Sequence, residues 1–301
     1  MTTTRRMGLA GTGYWARVTH APAVVASQGW ELTSVWGRSL DGASAVAAEH
    51  AGVTATDDFD AFLEQVDGVT FALPPHVQAP LALRAIKAGK HVLLEKPISL
   101  DVAEADALVA AARDQGVATV VLFTMLFDPR VRAIVARCEQ AEPLRGGGGL
   151  WLGSALNDDN PFNTPWRHDK GGLWDLGPHA LSILWKTVGP IREVRAHAGD
   201  LDLRHLVATH TSGATSTVSL TLRAPDPADG FSTTVWGELG RIEVPVDDVD
   251  ALAALTLALD ELGANARSGE LAHPCDVAFG RDIVRLLADA EEQLTSAGAT
   301  P

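Results

Sequence analysis

The segment 91–97 brings a glutamate and a lysine to the end of an apolar run, a placement that suits chemistry on a bound ligand. Residues 91–94 have the apolar character of a buried parallel strand, and Glu95, Lys96 and Pro97 follow it. Because proline disfavours helix in the residue before it, Lys96 is predicted to be extended just past the strand. Ligands bind at the carboxyl ends of strands in open α/β sheets, so this lysine is placed to meet a reacting group.

A second stretch, 170–179, carries Asp175 and His179 four residues apart, a spacing that puts both on one face of a helix. A carboxylate beside an imidazole suits proton transfer, because histidine titrates near neutrality. The alternative is a structural ion pair or core hydrogen bond. A metal site made with His168 and Asp169 would need a compact ligand cluster, which the sequence lacks, so no metal is predicted.

Residues 11–16 match the pattern G-x-G-x-x-G/A between a strand at 7–10 and a helix. Gly11 permits the tight turn, Gly13 lets a pyrophosphate approach the backbone, and Ala16 allows close helix packing. The pattern predicts dinucleotide binding, with a purely structural turn as the alternative. The cofactor-binding residues predicted in this loop are Gly11, Thr12, Gly13, Tyr14 and Trp15.

The end of the second predicted strand, 31–36, bears on the choice of cofactor. An acidic residue there would hold the ribose 2′-hydroxyl of NAD, but the chain continues with Gly37, Arg38 and Ser39. Arg38 and Ser39 could instead hold a 2′-phosphate. NADP(H) is therefore predicted, with NAD(H) and a merely solvated arginine as the alternative.

The elements around these residues alternate in type along the first part of the chain. Apolar strands at 7–10, 31–36, 68–73, 91–94 and 117–123 are separated by helical segments, which predicts a doubly wound parallel sheet of the α/β class. The later part has longer β-like runs at 150–156, 191–198, 206–211, 214–222, 231–236 and 241–244, with the glycines at 146–149 interpreted as a turn and two closing helices at 248–267 and 277–294. We predict a Rossmann domain at 1–124 and, at 125–301, an α+β domain with a mostly antiparallel open sheet.

Composition limits the partners. The net charge of −14 and the sequence pI near 5.0 argue against nucleic acid or an anionic membrane. The apolar run that follows the basic N-terminus stops at Gly11, and no stretch approaches the roughly 20 apolar residues of a membrane span. Cys138 and Cys275 make no disulfide framework. We expect a soluble cytoplasmic protein with a small-molecule substrate. Since Tyr14 is the sole tyrosine, the Tyr-x-x-x-Lys pair of short-chain reductases is excluded.

Taken together, the motifs resemble the glucose–fructose oxidoreductase, inositol dehydrogenase and MocA family, over nearly the whole chain. The resemblance rests on the glycine loop, on 72–76 (Ala-Leu-Pro-Pro-His), on Glu-Lys-Pro at 95–97, and on the Gly-Gly-x-x-Asp-x-Gly-x-His pattern at 171–179. It implies NAD(P)-dependent oxidation or reduction of sugars, cyclitols or related ring alcohols and ketones. It implies that Lys96 meets the reacting oxygen, that His179 is the acid/base and that Asp175 positions substrate. The further residues implied to border the cofactor are Leu73, Pro74, His76, Glu95 and Trp166, the last paired with Arg167.

The chain departs from the family pattern at two places. Leu126 replaces an arginine that often precedes Phe-x-Pro, within an apolar stretch at 123–126, and Lys170 replaces the first of three glycines. A less polar ring ketone, a deoxysugar or an imine would suit these residues, so an imine reductase is the alternative chemistry. A cofactor-binding sensor is the alternative of another class, against which the retained Lys96, Asp175 and His179 argue. The family resemblance also implies a homo-dimer or homo-tetramer.

Overall fold

The computed structural model describes residues 4–141, 143–157 and 160–298, which form two compact units. The first unit joins the chain up to Leu122 with Asp250–Arg281, and the second joins Phe123–Val249 with the chain from Asp282 onward. The sequence interpretation placed one boundary after residue 124 and assigned everything beyond it to the second domain. The contacts divide the chain differently, because residues 250–281 pack with the first unit.

The first unit is built on a six-stranded parallel sheet, as predicted. Its strands are β1 (Arg5–Ala10), β2 (Trp30–Trp36), β3 (Thr54–Thr56), β4 (Gly68–Phe71), β5 (His91–Glu95) and β6 (Thr119–Leu122). They lie in the order β3-β2-β1-β4-β5-β6, so the strand order reverses between β1 and β4. Both β4 and β6 are buried along their whole length, which fits strands covered by helices on both faces. The three-residue edge strand β3 was not predicted.

Helices connect these strands. They are a π-helical turn (Ala16–His20), α1 (Ala21–Ala26), α2 (Leu40–Ala47), α3 (Phe59–Glu64), α4 (Pro75–Lys87) and α5 (Val102–Gln115). The side chains of Ser39, Asp58 and Asp101 accept hydrogen bonds from first-turn N–H groups and so begin α2, α3 and α5. Gly116, in the left-handed conformation, ends α5.

The segment that returns to the first unit carries the helix α9 (Ala251–Ser268). Its buried residues Leu255, Leu259 and Leu262 complete the core, since α9 packs against α1, β5 and β6. Polar contacts fix it in place: the Trp30 indole N–H donates to the Leu259 carbonyl at 2.9 Å, and the Gln28 N–H donates to Asp260 at 2.8 Å. The apolar spacing of this segment identifies a helix, but it cannot indicate which core receives the helix.

The second unit holds a mixed six-stranded sheet. Its strands are β7 (Gly146–Leu152), β8 (Ile191–Ala198), β9 (Arg204–His210), β10 (Thr215–Thr221), β11 (Gly230–Gly237) and β12 (Gly240–Val244), in the order β12-β11-β7-β10-β9-β8. All neighbouring pairs are antiparallel except β7 with β10. The predicted mostly antiparallel sheet is confirmed.

The interpretation of the glycine run as a turn was wrong. Gly146 and Gly149 lie in β7, a central strand with neighbours on both sides. A Cβ added at Gly149 would lie 2.2 Å from the Ser232 carbonyl oxygen, and one at Gly146 would lie 2.7 Å from the Trp236 ring. Close packing by neighbouring strands, and not a need for turning, explains these glycines.

The helices of this unit cover one face of the sheet. They are a 3₁₀ turn (Thr124–Phe127), α6 (Pro129–Glu139), α7 (Pro165–Asp175), α8 (Gly177–Val188), a second 3₁₀ turn (Asp226–Ala228) and α10 (Val277–Gly298), whose first residues belong to the other unit. The nearly fully buried α8 packs on β7, β10 and β11. The other sheet face leaves Leu150, Val207 and Trp236 exposed. No helix within the described residues has both the length and the apolar character needed to cross a membrane.

Candidate active site

The glycine loop follows β1 and has the geometry that its sequence predicts. Gly11 has φ of 134°, and a Cβ there would lie 2.5 Å from the Ala72 carbonyl oxygen, so only glycine fits. At Gly13 a Cβ would meet nothing within 4 Å. The backbone of Gly13 therefore borders open space at the start of the helical segment, where a phosphate group can approach N–H groups. The open space beside Gly13 therefore fits a dinucleotide bound to the first unit.

The end of β4 lies beside this loop in the sheet. Ala72 donates its N–H to the Ala10 carbonyl at 2.9 Å, which fixes the following Leu73 and Pro74 next to Gly11. Pro74 precedes the first residue of α4, and His76 is exposed in the first turn of that helix. The parallel strands bring these residues and the glycine loop to one edge of the sheet. Thr12 packs against Gly37, since a Cβ at Gly37 would lie 2.7 Å from the methyl carbon of Thr12.

The end of β2 presents Arg38 and Ser39 at the same edge, and both are exposed. The Ser39 hydroxyl accepts a hydrogen bond from the Gly42 N–H at 3.4 Å, so this serine caps α2. The Arg38 side chain has no hydrogen bond or ion pair within the residues that the structure describes. Asp41, in the first turn of the helix, is an acidic residue near this strand end that the sequence interpretation did not consider.

Glu95 connects the glycine loop to Lys96. Its carboxylate oxygen Oε1 accepts a hydrogen bond from the Trp15 indole N–H at 2.7 Å and lies 3.1 Å from His20 Nε2. The other oxygen, Oε2, accepts from the Lys96 backbone N–H at 3.3 Å. The Lys96–Pro97 peptide bond is cis. Trp15 and Glu95, both predicted to border the cofactor, therefore contact each other.

Two residues of this network were missed at the sequence level. Gln78, fully buried in α4, donates to the Glu95 carbonyl at 2.8 Å and accepts from the Glu95 N–H at 2.9 Å, so its amide substitutes for a neighbouring strand. His20 is fully buried and places Nδ1 2.8 Å from the Thr70 hydroxyl. The only sequence signal for His20 is its position four residues after Ala16. That spacing does not distinguish a buried histidine from an exposed one.

In the second unit, Asp175 forms an ion pair with Arg167. Arg167 Nε donates to Oδ2 at 2.7 Å and its terminal nitrogen NH2 donates to Oδ1 at 3.3 Å, a bidentate arrangement in which both side chains are largely buried. The guanidinium of Arg167 also lies over the Trp166 ring, 4.7 Å from its centroid. The Trp166 ring therefore helps to position Arg167, which is paired with Asp175. This role is separate from any contact that Trp166 makes with a ligand.

His179 lies in the first turn of α8, while Asp175 is the last residue of α7. The imidazole is nearly buried and stacks on the Trp151 ring, with centroids 6.3 Å apart and planes within 5° of parallel. The Trp151 indole N–H donates to the Thr233 hydroxyl at 3.1 Å, which orients the ring beneath the histidine. The Trp151 ring therefore forms one side of the environment of His179.

Asp202 holds the glycine segment that leads to these two residues. Gly171 breaks the helical conformation of α7 with φ of 61° and ψ of −163°. At this break Asp202 Oδ2 accepts hydrogen bonds from the Gly172 N–H at 3.2 Å and the Leu222 N–H at 2.8 Å, and Oδ1 accepts from the Thr221 hydroxyl at 2.5 Å. A Cβ at Gly172 would lie 3.0 Å from the Thr221 Cα, so the segment lies directly on β10.

The remaining sequence candidates have simpler environments. Within the described residues, no group of three or more His, Cys, Asp and Glu side chains is arranged to hold a metal ion. His168 and Asp169, from the minor metal alternative, are exposed. Leu126 and Phe127, in the apolar departure from the family pattern, are buried. The apolar character of that segment therefore serves core packing.

The fold defines a class: a two-unit protein with a dinucleotide-type Rossmann sheet in one unit and a mixed sheet beside Asp175 and His179 in the other. Comparison with known proteins identifies the family within this class. Residues 5–123 match the model of an oxidoreductase family with an NAD-binding Rossmann fold, and residues 150–243 match the GFO/IDH/MocA C-terminal domain. The chain belongs to the Gfo/Idh/MocA family of oxidoreductases, and the predicted family, fold class and enzyme class are confirmed.

Individual relatives agree with this family. The chain is 28% identical over 271 residues to an uncharacterized oxidoreductase of Synechocystis, covering 81% of this chain and 72% of that protein. It is 42% identical over 113 residues to a dTDP-3,4-didehydro-2,6-dideoxy-alpha-D-glucose 3-reductase of Streptomyces violaceoruber. This match covers 37% of this chain and 33% of the reductase. A levoglucosan dehydrogenase solved with NADH and levoglucosan matches in fold with a TM-score of 0.86 at 18% identity, covering 98% of both chains.

Proposed function

We propose that the protein transfers a hydride between a nicotinamide cofactor and a sugar-like or other cyclic secondary alcohol or ketone. The observation that carries this proposal is the contact between the glycine loop and the Lys96 segment through Glu95. It joins a pyrophosphate-type loop and a lysine at the carboxyl edge of one parallel sheet, the place where such sheets bind ligands.

The chemistry divides between the cofactor and the chain. A bound nicotinamide supplies or accepts the hydride. We assign to the Lys96 ammonium the stabilisation of charge on the reacting oxygen, and to His179 the exchange of a proton with it. Asp175, held by Arg167, positions the substrate hydroxyls. Lys96 and His179 lie in different units, so the assignment rests on their motifs and on the local contacts of each.

For the cofactor we propose a preference for NADP(H). Arg38 is exposed at the end of β2 without a partner among the described residues, and the exposed Ser39 beside it begins α2. A guanidinium beside a helix N-terminus suits a 2′-phosphate. Asp41 in the same turn weighs toward NAD(H), as does the NADH in the levoglucosan dehydrogenase structure.

For the substrate we propose a cyclic sugar derivative. The Streptomyces relative acts, by its name, on a dideoxy sugar attached to a nucleotide, and the solved structural neighbour contains levoglucosan. A deoxysugar, which carries fewer hydroxyl groups, is consistent with the aromatic ring of Trp151 that stacks on His179.

We also propose that the protein forms a homo-dimer or homo-tetramer through the exposed face of the second unit's sheet. Leu150, Val207 and Trp236 lie on that face, beside small residues of β7 and hydroxyl residues of β10. Charged side chains of that face lie on the outer strands β8 and β12, and the apolar and hydroxyl residues of the inner strands leave a patch that suits self-association.

The test begins with a fluorescence titration of the purified protein with NADPH and NADH, since eight tryptophans, including Trp15, can report binding. Tighter binding of NADPH supports the Arg38 site, and an Arg38→Ala variant should remove the preference. Carbonyl sugars are then screened for cofactor oxidation. Lys96→Ala and His179→Ala should lower kcat with little change in cofactor affinity. Binding without turnover of any substrate would instead indicate a sensor, and unchanged turnover in both variants would refute the roles given to these residues.

A further inference from the structure

A polar cavity of about 280 Å³ lies in the second unit, apart from the contacts of Asp175 and His179 described above. Its wall is formed by residues 168–173 of α7, by the loop before β9 and by the chain after β10. The charged side chains that line it are His168, Asp169, Lys170, Asp202, Arg204 and Arg223. Nothing in the proposed hydride transfer uses this cavity.

Its two arginines have no carboxylate partner within the described ranges. Arg204 donates from NH1 to the carbonyl oxygens of Leu201 at 3.1 Å and Leu203 at 2.9 Å, which fixes its guanidinium and leaves its Nε and NH2 groups available. Arg223 places NH2 3.4 Å from His168 Nδ1. Most of the described arginines of this chain, whose net charge is −14, have a carboxylate within reach. Two guanidinium groups that face one cavity without a carboxylate partner therefore differ from that majority.

The other charged groups of the lining, apart from Asp169, are already engaged. Lys170 pairs with Glu291 at 3.0 Å. The Asp202 carboxylate accepts three hydrogen bonds, from the Gly172 and Leu222 N–H groups and the Thr221 hydroxyl. The exposed Asp169 supplies the remaining carboxylate of the lining. Against it stand the guanidinium N–H groups of Arg204 and Arg223, so a ligand that pairs with these two arginines must supply acceptor atoms.

The loop that precedes Arg204 holds a non-glycine residue in an unusual conformation. Leu201, at the rim of the cavity, has φ of 53°. A bulky side chain rarely adopts this left-handed region, and such residues cluster at ligand sites where the surroundings enforce them. Asp200 stabilises the turn by accepting the Leu201 N–H on its carboxylate and the Leu203 N–H on its carbonyl, both at 2.9 Å.

We propose that this cavity binds an oxyanion group, phosphate or carboxylate, carried by the substrate. The proposal rests on the proposed function, since it names a part of that substrate. Planar guanidinium groups form paired hydrogen bonds with oxyanions, and Arg204 is preorganised to do so. The helix α7 supplies both the cavity wall and Asp175, so an anionic end bound here is held by the same element as the positioning carboxylate.

The first experiment measures binding directly and needs no turnover. The full-length protein, saturated with its dinucleotide so that the glycine loop is occupied, is titrated with inorganic phosphate at constant ionic strength and followed calorimetrically. The wild type should bind, and the Arg204→Gln/Arg223→Gln protein should bind about tenfold more weakly or not at all, as expected for loss of two charged hydrogen-bonding partners. Arg192→Gln, an exposed arginine of β8 outside the cavity, should bind like the wild type.

Absence of phosphate binding, or equal affinity in the double variant, would overturn the proposal. If the double variant does not fold, Arg223→Gln alone serves, because this side chain is exposed and should tolerate the change. The source of the anion is decided by kinetics: phosphate should compete with an anionic substrate, and the variants should raise KM for that substrate while leaving KM for the dinucleotide unchanged. Phosphate binding without competition would overturn the assignment to the substrate. A protein that binds phosphate but reduces no carbonyl would refute the proposed function and leave the anion site intact.

Discussion

The indole N–H of Trp15 donates a 2.7 Å hydrogen bond to the carboxylate of Glu95, and so ties the glycine loop to the residue before Lys96. The two residues are 80 positions apart in the chain and meet because β1 and β5 are parallel and end at the same edge of the sheet, with only β4 between them. The glycine loop and the segment that carries Lys96 therefore form one connected structure.

Trp15→Phe should weaken this connection while keeping an aromatic ring in place. Loss of a hydrogen bond to a charged group costs about 1.5–3 kcal/mol, so the free energy of unfolding should fall by about that amount. Dinucleotide affinity and kcat should both decrease, since the loop and the lysine share the contact. Denaturant titration and steady-state kinetics measure these effects. A Trp15→Phe protein with both parameters unchanged would show that the hydrogen bond is incidental.

The two loop glycines should respond differently to alanine. Gly13→Ala adds a methyl group to open space, so the protein should keep its thermal stability and lose dinucleotide affinity. Gly11→Ala places a methyl group 2.5 Å from a carbonyl oxygen at φ of 134°, so both stability and affinity should fall. Differential scanning calorimetry with cofactor titration separates the two effects. Equal loss of stability in both variants would contradict the geometry of the loop.

Asp202→Ala should affect the segment that leads to Asp175 and His179. It leaves two backbone N–H groups and the Thr221 hydroxyl without their acceptor, at a cost of about 2 kcal/mol or more. kcat should fall more than dinucleotide affinity, and Asp202→Asn, which keeps one acceptor oxygen, should recover part of the loss. Asp200→Ala, in the same loop, is the control. If it lowers kcat equally, the effect belongs to the loop and not to the Asp202 contacts.

His91 should make folding stability depend on pH. Burial, followed by the nearby Arg5 guanidinium, lowers the pKa of His91 from 6.5 to about 4. The unfolded chain then binds a proton that the folded chain excludes, so this contribution to stability is present above pH 6.5 and is lost as pH falls toward 4. His91 Nδ1 accepts a hydrogen bond from the Ala118 N–H at 3.0 Å, and His91→Asn retains an acceptor for that group. The variant should flatten the pH dependence of stability in denaturant titrations between pH 7 and 4.

His210 contributes in the same direction, because burial lowers its pKa too. A smaller slope should therefore remain in the His91→Asn protein. His197→Asn, at an exposed position of β8, should leave the slope as in the wild type. A slope unaffected by the His91 change would mean that His91 is as readily protonated in the folded protein as in the unfolded chain.

Trp236→Glu should reduce self-association if the exposed sheet face joins copies of the chain. A buried carboxylate at an interface is costly, whereas the same side chain on a free surface is not. Sedimentation should show a shift toward monomer, with the thermal stability of the monomer retained. Val25→Glu, which introduces the same charge at an exposed apolar position of α1 in the first unit, is the control. An unchanged sedimentation coefficient would place the interface elsewhere.

Much of the first unit could be predicted because its signals are local. Uniformly apolar strands, capping residues such as Asp101 and the glycine spacing at 11–16 each depend on nearby residues only. The network around Glu95 could not be predicted, since Gln78 and His20 meet it through the fold. The same holds for Arg167 as the partner of Asp175, where the i,i+4 spacing drew attention to His179 instead. The glycines of β7 were misassigned because a tight turn and a crowded central strand both select glycine.

The return of residues 250–281 to the first unit bears on how the chain is made. Domains of a nascent chain commonly fold in order from the N-terminus. Here the Rossmann sheet is fully synthesised by residue 122, yet α9, which covers β5 and β6 and receives the Trp30 hydrogen bond, emerges from the ribosome more than a hundred residues later. The Rossmann unit therefore cannot reach its final form until the chain is synthesised past residue 281, and a chain cut after residue 124 would expose apolar surface where α9 belongs.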